Sequence, residues 1–174
     1  FGYSVAIKND KAIIGAMGDD YLDPFASPVP PTQEDAGSAY IFIKINGIWK
    51  QKAKITAPDH KEYDKFGASV SIDDNYAIVG APLKDDDTSQ AFPLTNSGAA
   101  YIYRFSGWNC IFLQKIMAND RDAQDCFGHS VSISKDYAVI GAPWKDGVNS
   151  SISINNPGSA YLFERSSSST WTEV

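Results

Sequence analysis

Apolar and polar residues follow the same order in three segments of the chain, which begin at Phe1, Phe66 and Phe127. Each segment contains two short apolar runs. Within each run the apolar residues are nearly continuous and do not strictly alternate with polar ones. Such runs are typical of strands that are covered on both faces. We therefore predict a two-stranded hairpin in each segment, with turns of residue types that mostly accept tight-turn conformations: Asn9-Asp10, Asp74-Asn75 and Lys135-Asp136.

Two further strands are predicted after each hairpin. The third strand is rich in aromatic residues, as in "AYIFI", "AYIYRF" and "AYLFE". A fourth strand is predicted from Ile48, where lysines alternate with Trp49, Ala53 and Ile55. Charged residues on an outer strand protect its edge against pairing with another chain. Each segment is thus predicted to form one four-stranded antiparallel unit.

The spacing of the three copies separates a constant frame from variable loops. The step from Phe1 to Gly15 is repeated from Phe66 to Gly80 and from Phe127 to Gly141. The loops that follow differ in length and span residues 17–36, 82–97 and 143–157. We predict three repeats, at residues 1–65, 66–126 and 127–174, with the third repeat incomplete. A sheet that repeats every ~60 residues and is apolar on both faces is typical of a β-propeller blade, so we predict an all-β fold.

The recurring motif "FGxSV…IxGAP…GxaYiF" resembles the FG-GAP repeat, the blade of the integrin α-subunit propeller and of many extracellular proteins. The resemblance covers essentially the whole chain. It implies a non-catalytic adhesion or assembly module at the cell surface or outside the cell, which binds a protein or matrix partner through its loops. Closed propellers have ~4 to 8 blades. The three units therefore predict either part of a longer propeller, for example seven-bladed as in integrins, or self-association of two chains into a six-bladed ring, and we favour the longer propeller.

The resemblance also implies a DxDxDG calcium site between the first and second strands. The corresponding loops here, "KNDK", "DDNY" and "SKDY", are too short to wrap a cation, so we do not assign that calcium site to this chain. Calcium bound elsewhere is left as an open alternative, and no other cofactor is indicated. Asp120, Asp122 and Asp125 are weaker candidate metal ligands, because their loop lacks the glycine of a sharp turn. The preferred interpretation is a solvated linking loop. Asp64 and Asp125 each precede an "FG" by two residues and are predicted to cap that turn.

The long loops between the second and third strands are the candidate binding surface, since binding residues tend to lie on loops held by a rigid frame. In a propeller these loops emerge on one rim, where their side chains could converge on a cation or a basic ligand. The alternative for any single residue is a solvated side chain. The candidate ligand-binding residues are Asp19, Asp20, Asp23, Asp85, Asp86, Asp87, Trp144 and Asp146.

Two alternative functions remain open. A carbohydrate-binding propeller, similar to some fungal lectins, would stack sugars on aromatic residues such as Trp144, Tyr21 or Trp108. An accessory domain of a secreted hydrolase is the second. If the protein is secreted, "NSS" at Asn149 is a candidate glycosylation site on a predicted loop.

Composition excludes several other classes. A net charge of -6 and a pI near 4.8 disfavour nucleic acid and acidic ligands. No segment approaches the roughly 18 consecutive apolar residues of a membrane span. The histidines, His60 and His129, are not placed for a nucleophile–base arrangement, so we predict no enzyme. Cys110 and Cys126 are interpreted as two half-buried thiols, with a disulfide as the alternative.

Overall fold

The chain folds into three four-stranded antiparallel sheets, one for each repeat. The structure is a computed structural model and describes residues 1–22, 32–85, 94–149, 152–154, 157–166 and 170–174. These residues form strands and no helix, which confirms the predicted all-β class and the four strands of each blade. The first blade consists of β1 (Ser4–Lys8), β2 (Lys11–Ala16), β5 (Ser38–Ile45) and β6 (Ile48–Ile55).

The second and third blades have the same strand order from the inside outwards. The second blade consists of β7 (Ser69–Ile72), β8 (Tyr76–Ala81), β9 (Ala99–Ser106) and β10 (Asn109–Ile116). The third consists of β11 (Ser130–Ser134), β12 (Tyr137–Ala142), β15 (Ser159–Arg165) and β16 (Trp171–Glu173).

Two of the predicted loops contain small hairpins of their own. In the first blade, β3 (Tyr21–Leu22) pairs with β4 (Thr32–Gln33). In the third blade, β13 (Gly147–Asn149) pairs with β14 (Ile152–Ile154). Asn149 therefore ends a short strand, where a loop was predicted, because cross-strand pairing within the insertion draws it into a hairpin.

The blades are arranged side by side around their innermost strands. β7 contacts both β1 and β11, so the first strands of the three blades are consecutive neighbours. Apolar residues fill the space between neighbouring sheets, and two separate core clusters result. Ile13 and Ile41 of the first blade pack in the same cluster as Val70, Val79 and Tyr101 of the second. The second cluster joins the other face of the second blade to the third, through Ile78, Ile102, Ile140, Phe163 and Trp171 among others.

The "FG" turns of the second and third blades are each inserted into the preceding blade. The amide of Phe66 donates a hydrogen bond to the carbonyl oxygen of Ala36 (3.0 Å), and Phe66 forms a parallel bridge with Gly37. The hydroxyl of Ser4 donates to the carbonyl oxygen of Gly67 at 2.8 Å. The Phe66 side chain is fully buried and packs edge-on against Tyr101, with ring centroids 5.4 Å apart.

The next junction repeats this arrangement. The amide of Phe127 donates to the carbonyl oxygen of Ser97 (3.0 Å), and the Ser69 hydroxyl donates to the carbonyl oxygen of Gly128 (2.7 Å). A Cβ on Gly80 would lie 1.9 Å from that same carbonyl oxygen. The "GA" glycine is thus required by the close approach of the next blade.

We expect Gly80→Ala to destabilise the fold by about 1–3 kcal/mol, because the added methyl overlaps backbone that cannot move independently. The matched control is Gly18→Ala, whose Cβ would meet only the end of the Asp35 side chain, at 3.2 Å. Urea unfolding of both variants measures the difference. Equal stabilities for the two variants would contradict the proposed close approach.

Candidate functional site

The described parts of the long loops and the segments that link the blades lie on one side of the sheets, which we call the loop rim. It comprises residues 17–22, 32–37, 82–85, 94–98, 143–149, 152–154 and 157–158, which follow the second strands, and residues 56–68 and 117–129, which link the blades. Each linking segment is hydrogen-bonded to the loop of the preceding blade. Lys65 N donates to the carbonyl oxygen of Asp35 (3.2 Å), and Cys126 N donates to that of Asn96 (3.0 Å). Backbone contacts therefore hold the described part of the rim in place.

A buried ion pair anchors the first linking segment to the second blade. Lys84 Nζ lies 2.9 Å from Asp64 Oδ2, and only 3% of either side chain is exposed. Lys84 also donates to the carbonyl oxygen of Asp59, and Asp64 accepts a hydrogen bond from the amide of Lys61 (2.7 Å). Burial raises the pKa of Asp64 even though Lys84 opposes this shift. Asp64 therefore caps the turn that begins at Lys61, and not the "FG" turn that was predicted for it.

The second linking segment is anchored to the third blade in the same way. Lys145 Nζ lies 3.2 Å from Asp125 Oδ2, which accepts a hydrogen bond from the amide of Asp122 at 2.7 Å. Asp120 accepts a hydrogen bond from the Tyr161 hydroxyl (2.8 Å), whereas the exposed Asp122 carboxylate binds the amide of Ala123. Among the residues that the structure describes, Asp120, Asp122 and Asp125 are not brought together as a metal-binding group.

The turns of the inner hairpins do not fit a calcium ion either. β1 and β2 are joined by two residues, and Asn9 has a positive φ of 53°. In the second blade, the Asp73 carboxylate accepts the amides of Lys135 and Asp74. These two hydrogen bonds lower the pKa of Asp73. At this turn, both carboxylate oxygens that a cation would need already accept amides, and the hydrogen bond from Lys135 joins the second blade to the third.

Two of the predicted ligand-binding carboxylates accept hydrogen bonds from backbone amides of the rim. Asp20 accepts a hydrogen bond from Asp35 N (3.0 Å), and Asp85 accepts one from Asn96 N (2.8 Å). Asp146 is exposed on the third loop. Of the remaining candidates, Asp23, Asp86 and Asp87 lie outside the described residues.

Asp19 holds the position in the first blade that Lys84 and Lys145 hold in the others. Its Oδ2 atom accepts hydrogen bonds from the hydroxyls of Ser38 (2.5 Å) and Tyr40 (2.8 Å) and lies 2.9 Å from Lys54 Nζ. Burial alone would raise the pKa of Asp19. The Ser38 hydroxyl and Lys54 outweigh that effect, so the pKa lies below its usual range.

In the second blade, the linking segment supplies the carboxylate that the equivalent tyrosine and lysine bind. Tyr101 and Lys115, the equivalents of Tyr40 and Lys54, both bind Asp59, at 2.7 and 2.8 Å. Burial opposes ionisation of Asp59, but Lys115 and the Tyr101 hydroxyl lower its pKa. In both blades, therefore, a tyrosine and a lysine bind one carboxylate. In the first blade that carboxylate comes from the blade's own loop, and in the second blade it comes from the linking segment.

A cleft of about 290 Å³ lies on the rim, between the inner strands of the three blades, and we call it the inner cleft. It brings together the variable third residue of each "FGxSV" motif, namely Tyr3, Ala68 and His129. Tyr3 and His129 are exposed. Variation at one position of an otherwise constant motif is the sequence signal for this site. The other lining residues are Met17, Lys65, Pro82 and Leu83.

A family model of the FG-GAP repeat matches residues 1–42, 49–103 and 111–163. The chain belongs to the FG-GAP repeat family. The second and third matched segments begin in the outer strand of one blade and continue through the linking segment into the next blade. A comparison with curated proteins found no match. Within the described residues, no helix has the length and apolarity needed to cross a membrane.

The aromatic residues considered for sugar stacking are dispersed in this FG-GAP protein. Trp144 is exposed on the loop rim, and Tyr21 stacks against His60 with ring centroids 3.7 Å apart. Trp108 lies in the turn between β9 and β10, at the opposite end of the sheet. The structure therefore does not bring the three rings together.

The two cysteines are free thiols, as the preferred interpretation of the sequence had it. Cys110 is half-buried and Cys126 is buried. Burial raises the pKa of Cys110 to about 12, and burial together with the neighbouring Asp125 also raises that of Cys126. Both thiols are consequently protonated and weakly nucleophilic at neutral pH.

We expect Lys84→Met to lower the free energy of unfolding by about 3–5 kcal/mol, because Asp64 would be left as an unpaired buried charge. Adding Asp64→Asn should recover part of the loss, since the amide oxygen still accepts the Lys61 amide. Lys50→Met, at an exposed lysine, is the control. Urea unfolding at neutral pH tests this, and a Lys84→Met protein as stable as the control would show that the pair does not anchor the linking segment.

Proposed function

We propose that the chain is a non-catalytic extracellular β-propeller module whose loop rim binds a protein partner with a basic surface. The observation that carries this proposal is the inner cleft. Positions that hold the blades together have the same residues in every repeat, whereas Tyr3, Ala68 and His129 differ and line one cleft. Residues that lie on a rigid frame but are not needed for its packing are suited to binding a ligand.

The charge of the rim supports a basic partner. The lysines nearest the frame, Lys84 and Lys145, are buried against aspartates and contribute little positive charge to the surface. Seven carboxylates are exposed in the part of the rim that the structure describes: Asp20, Glu34, Asp59, Glu62, Asp120, Asp122 and Asp146. Such a surface attracts basic protein segments and repels nucleic acid and other polyanions.

The titratable groups support a non-catalytic role. His60 Nδ1 is hydrogen-bonded to the carbonyl oxygen of Ala57 (2.8 Å), and its ring is covered by Tyr21. His129 is exposed in the inner cleft, whose described lining has no serine or cysteine. A nucleophile would need such a base within hydrogen-bonding distance. The extracellular location rests on the family, whose repeats are typical of extracellular proteins.

The proposal is tested by measuring binding of the chain to immobilised collagen, fibronectin and laminin, in parallel with a glycan array. We expect saturable binding to at least one of these proteins that weakens as salt is raised, because exposed charges are screened. The Leu83→Ser/His129→Ala variant changes the inner cleft and should bind at least about tenfold more weakly. Trp108→Ala, at the opposite end of the sheet, is the control and should bind normally.

Two outcomes would contradict the proposal. One is protein binding that the cleft variant leaves unchanged. The other is binding to glycans alone, abolished by Trp144→Ala, which would support the lectin alternative.

A further inference from the structure

The outer hairpins of the first and second blades have exposed apolar residues at their tips, on the side opposite the loop rim. β5 and β6 are joined by a turn at residues 46–47, and β9 and β10 by one at residues 107–108. Ile48 is 62% exposed, Trp108 is 58% exposed, and Ile111 is 47% exposed. Single exposed apolar residues are common, but several on neighbouring tips form a patch, and such patches mark interaction surfaces.

The exposure of these residues does not depend on a missing neighbour. Ile48 is paired with Ile45, which packs against the core between the first and second blades. Ile111 is in register with Arg104 and Tyr76, and Tyr76 packs in the core between the second and third blades. Both side chains thus lie beside a blade that is present, and they are exposed because they lie beyond the edge of the core.

Basic side chains surround the apolar tips. Lys50 and Lys52 of β6 and Arg104 of β9 are all exposed. Lys52 Nζ lies 5.8 Å from the ring centroid of Trp108, so the two hairpins meet at this point. We call the basic tip surface the following six residues: Ile48, Lys50, Lys52, Arg104, Trp108 and Ile111.

The charge of these hairpins is opposite to that of the whole chain. Residues 44–55 and 104–116 contain six lysines or arginines and no aspartate or glutamate, whereas the chain has a net charge of -6. At the rim end of the outer strands, Lys54 binds Asp19 and Lys115 binds Asp59. Within the described residues, Lys50, Lys52 and Arg104 form no ion pair. The positive charge of the tips is therefore not neutralised by neighbouring side chains.

The aspartates at this end of the molecule belong to the inner turns and have cations of their own. Asp73 accepts two backbone amides and lies 3.9 Å from Lys8 Nζ, and Asp136 binds Arg165. In number, the aspartates of the inner turns equal the cations of the same region, so the turns add little net charge. These aspartates are Asp10, Asp73, Asp74 and Asp136, and the cations are Lys8, Lys11, Lys135 and Arg165.

An anionic lipid bilayer fits this combination of residues. Tryptophan and aliphatic side chains enter the boundary between headgroups and acyl chains, while lysine and arginine extend to the lipid phosphates. Hairpin tips project from the ends of strands, so one flat surface can contact both of them. A soluble polyanion would use the cations alone and would gain little from Ile48 and Ile111.

We propose that the basic tip surface binds the surface of an anionic lipid bilayer. Trp108 and Ile48 enter the headgroup region, and Lys50, Lys52 and Arg104 contact the charged groups of the lipids. The loop rim then faces away from the bilayer, so a partner can reach the inner cleft while the chain is bound to a membrane. The membrane contact uses none of the residues of the inner cleft, and it stands or falls separately from the function proposed for that cleft.

The test is co-sedimentation of the chain with vesicles of phosphatidylcholine, with and without phosphatidylserine. We expect binding only to the vesicles that contain phosphatidylserine, and weaker binding as salt is raised, because salt screens the exposed lysines. Lys50→Gln and Trp108→Ala should each raise the lipid concentration needed for half-maximal binding at least about fivefold.

Two matched variants at the loop rim control for these changes. Lys61→Gln removes the same charge from an exposed lysine, and Trp144→Ala removes an exposed tryptophan. Both should bind vesicles as the unmodified chain does. Circular dichroism checks that all four variants are folded.

Insertion of Trp108 is tested with phosphatidylserine vesicles whose acyl chains carry bromine, which quenches only tryptophans that enter the bilayer. Quenching should fall in Trp108→Ala and be unchanged in Trp144→Ala. Three results would each overturn the proposal: no binding to phosphatidylserine vesicles, equal losses in the tip and rim variants, or binding without quenching. Capture on immobilised heparin without binding to vesicles would show that the surface binds a soluble polyanion instead.

Discussion

Between blades, the carbonyl oxygen of an "FG" glycine lies where the side chain of a "GA" glycine in the preceding blade would be. A Cβ on Gly15 would lie 2.0 Å from the carbonyl oxygen of Gly67, so that position must be glycine. The same oxygen accepts the Ser4 hydroxyl, which satisfies it away from water. Once the turn is inserted, Phe66 enters the core beside Tyr101 and the linking segment is brought to the loop rim. The contact between sheets, the core and the rim all depend on this insertion.

The same dependence explains why two aspartates of the acidic rim have a structural role. Asp64 and Asp125 belong to the linking segments and are buried when these segments pack against the rim. Asp64 then binds Lys84, and Asp125 binds Lys145. Isolated buried charges are costly, so each aspartate requires its lysine. The functional proposal therefore rests on exposed carboxylates and on the inner cleft rather than on these two buried aspartates.

The fold could be predicted from the sequence because its determinants are local and repeated three times. Apolar runs, tight-turn residues and the constant step from Phe66 to Gly80 each specify a hairpin without reference to distant residues. The two-residue strands at Tyr21 and Thr32 were missed, since strands so short have no detectable pattern. The inner cleft was missed because Tyr3 and His129 are distant in sequence and meet only after the blades pack.

The roles of individual aspartates could not be predicted for a related reason. Asp19 and Asp20 are adjacent and chemically identical, yet one binds Tyr40 and Lys54 and the other accepts the amide of Asp35. Which contact each makes depends on the residues opposite it in the folded blade. A capping role was predicted for Asp64 at the "FG" turn that follows it, but the amide that it accepts, that of Lys61, lies three residues before it.

Amide hydrogen exchange at Phe66 and Phe127 tests most directly whether the blades are joined by inserted "FG" turns. Both amides donate to carbonyl oxygens of the preceding blade, so they should exchange only through opening of the junction between blades. Their protection should match that of the central strands β8 and β12. Exchange as fast as that of exposed loop amides would contradict the account, because the insertion on which the packing depends would then be absent in solution.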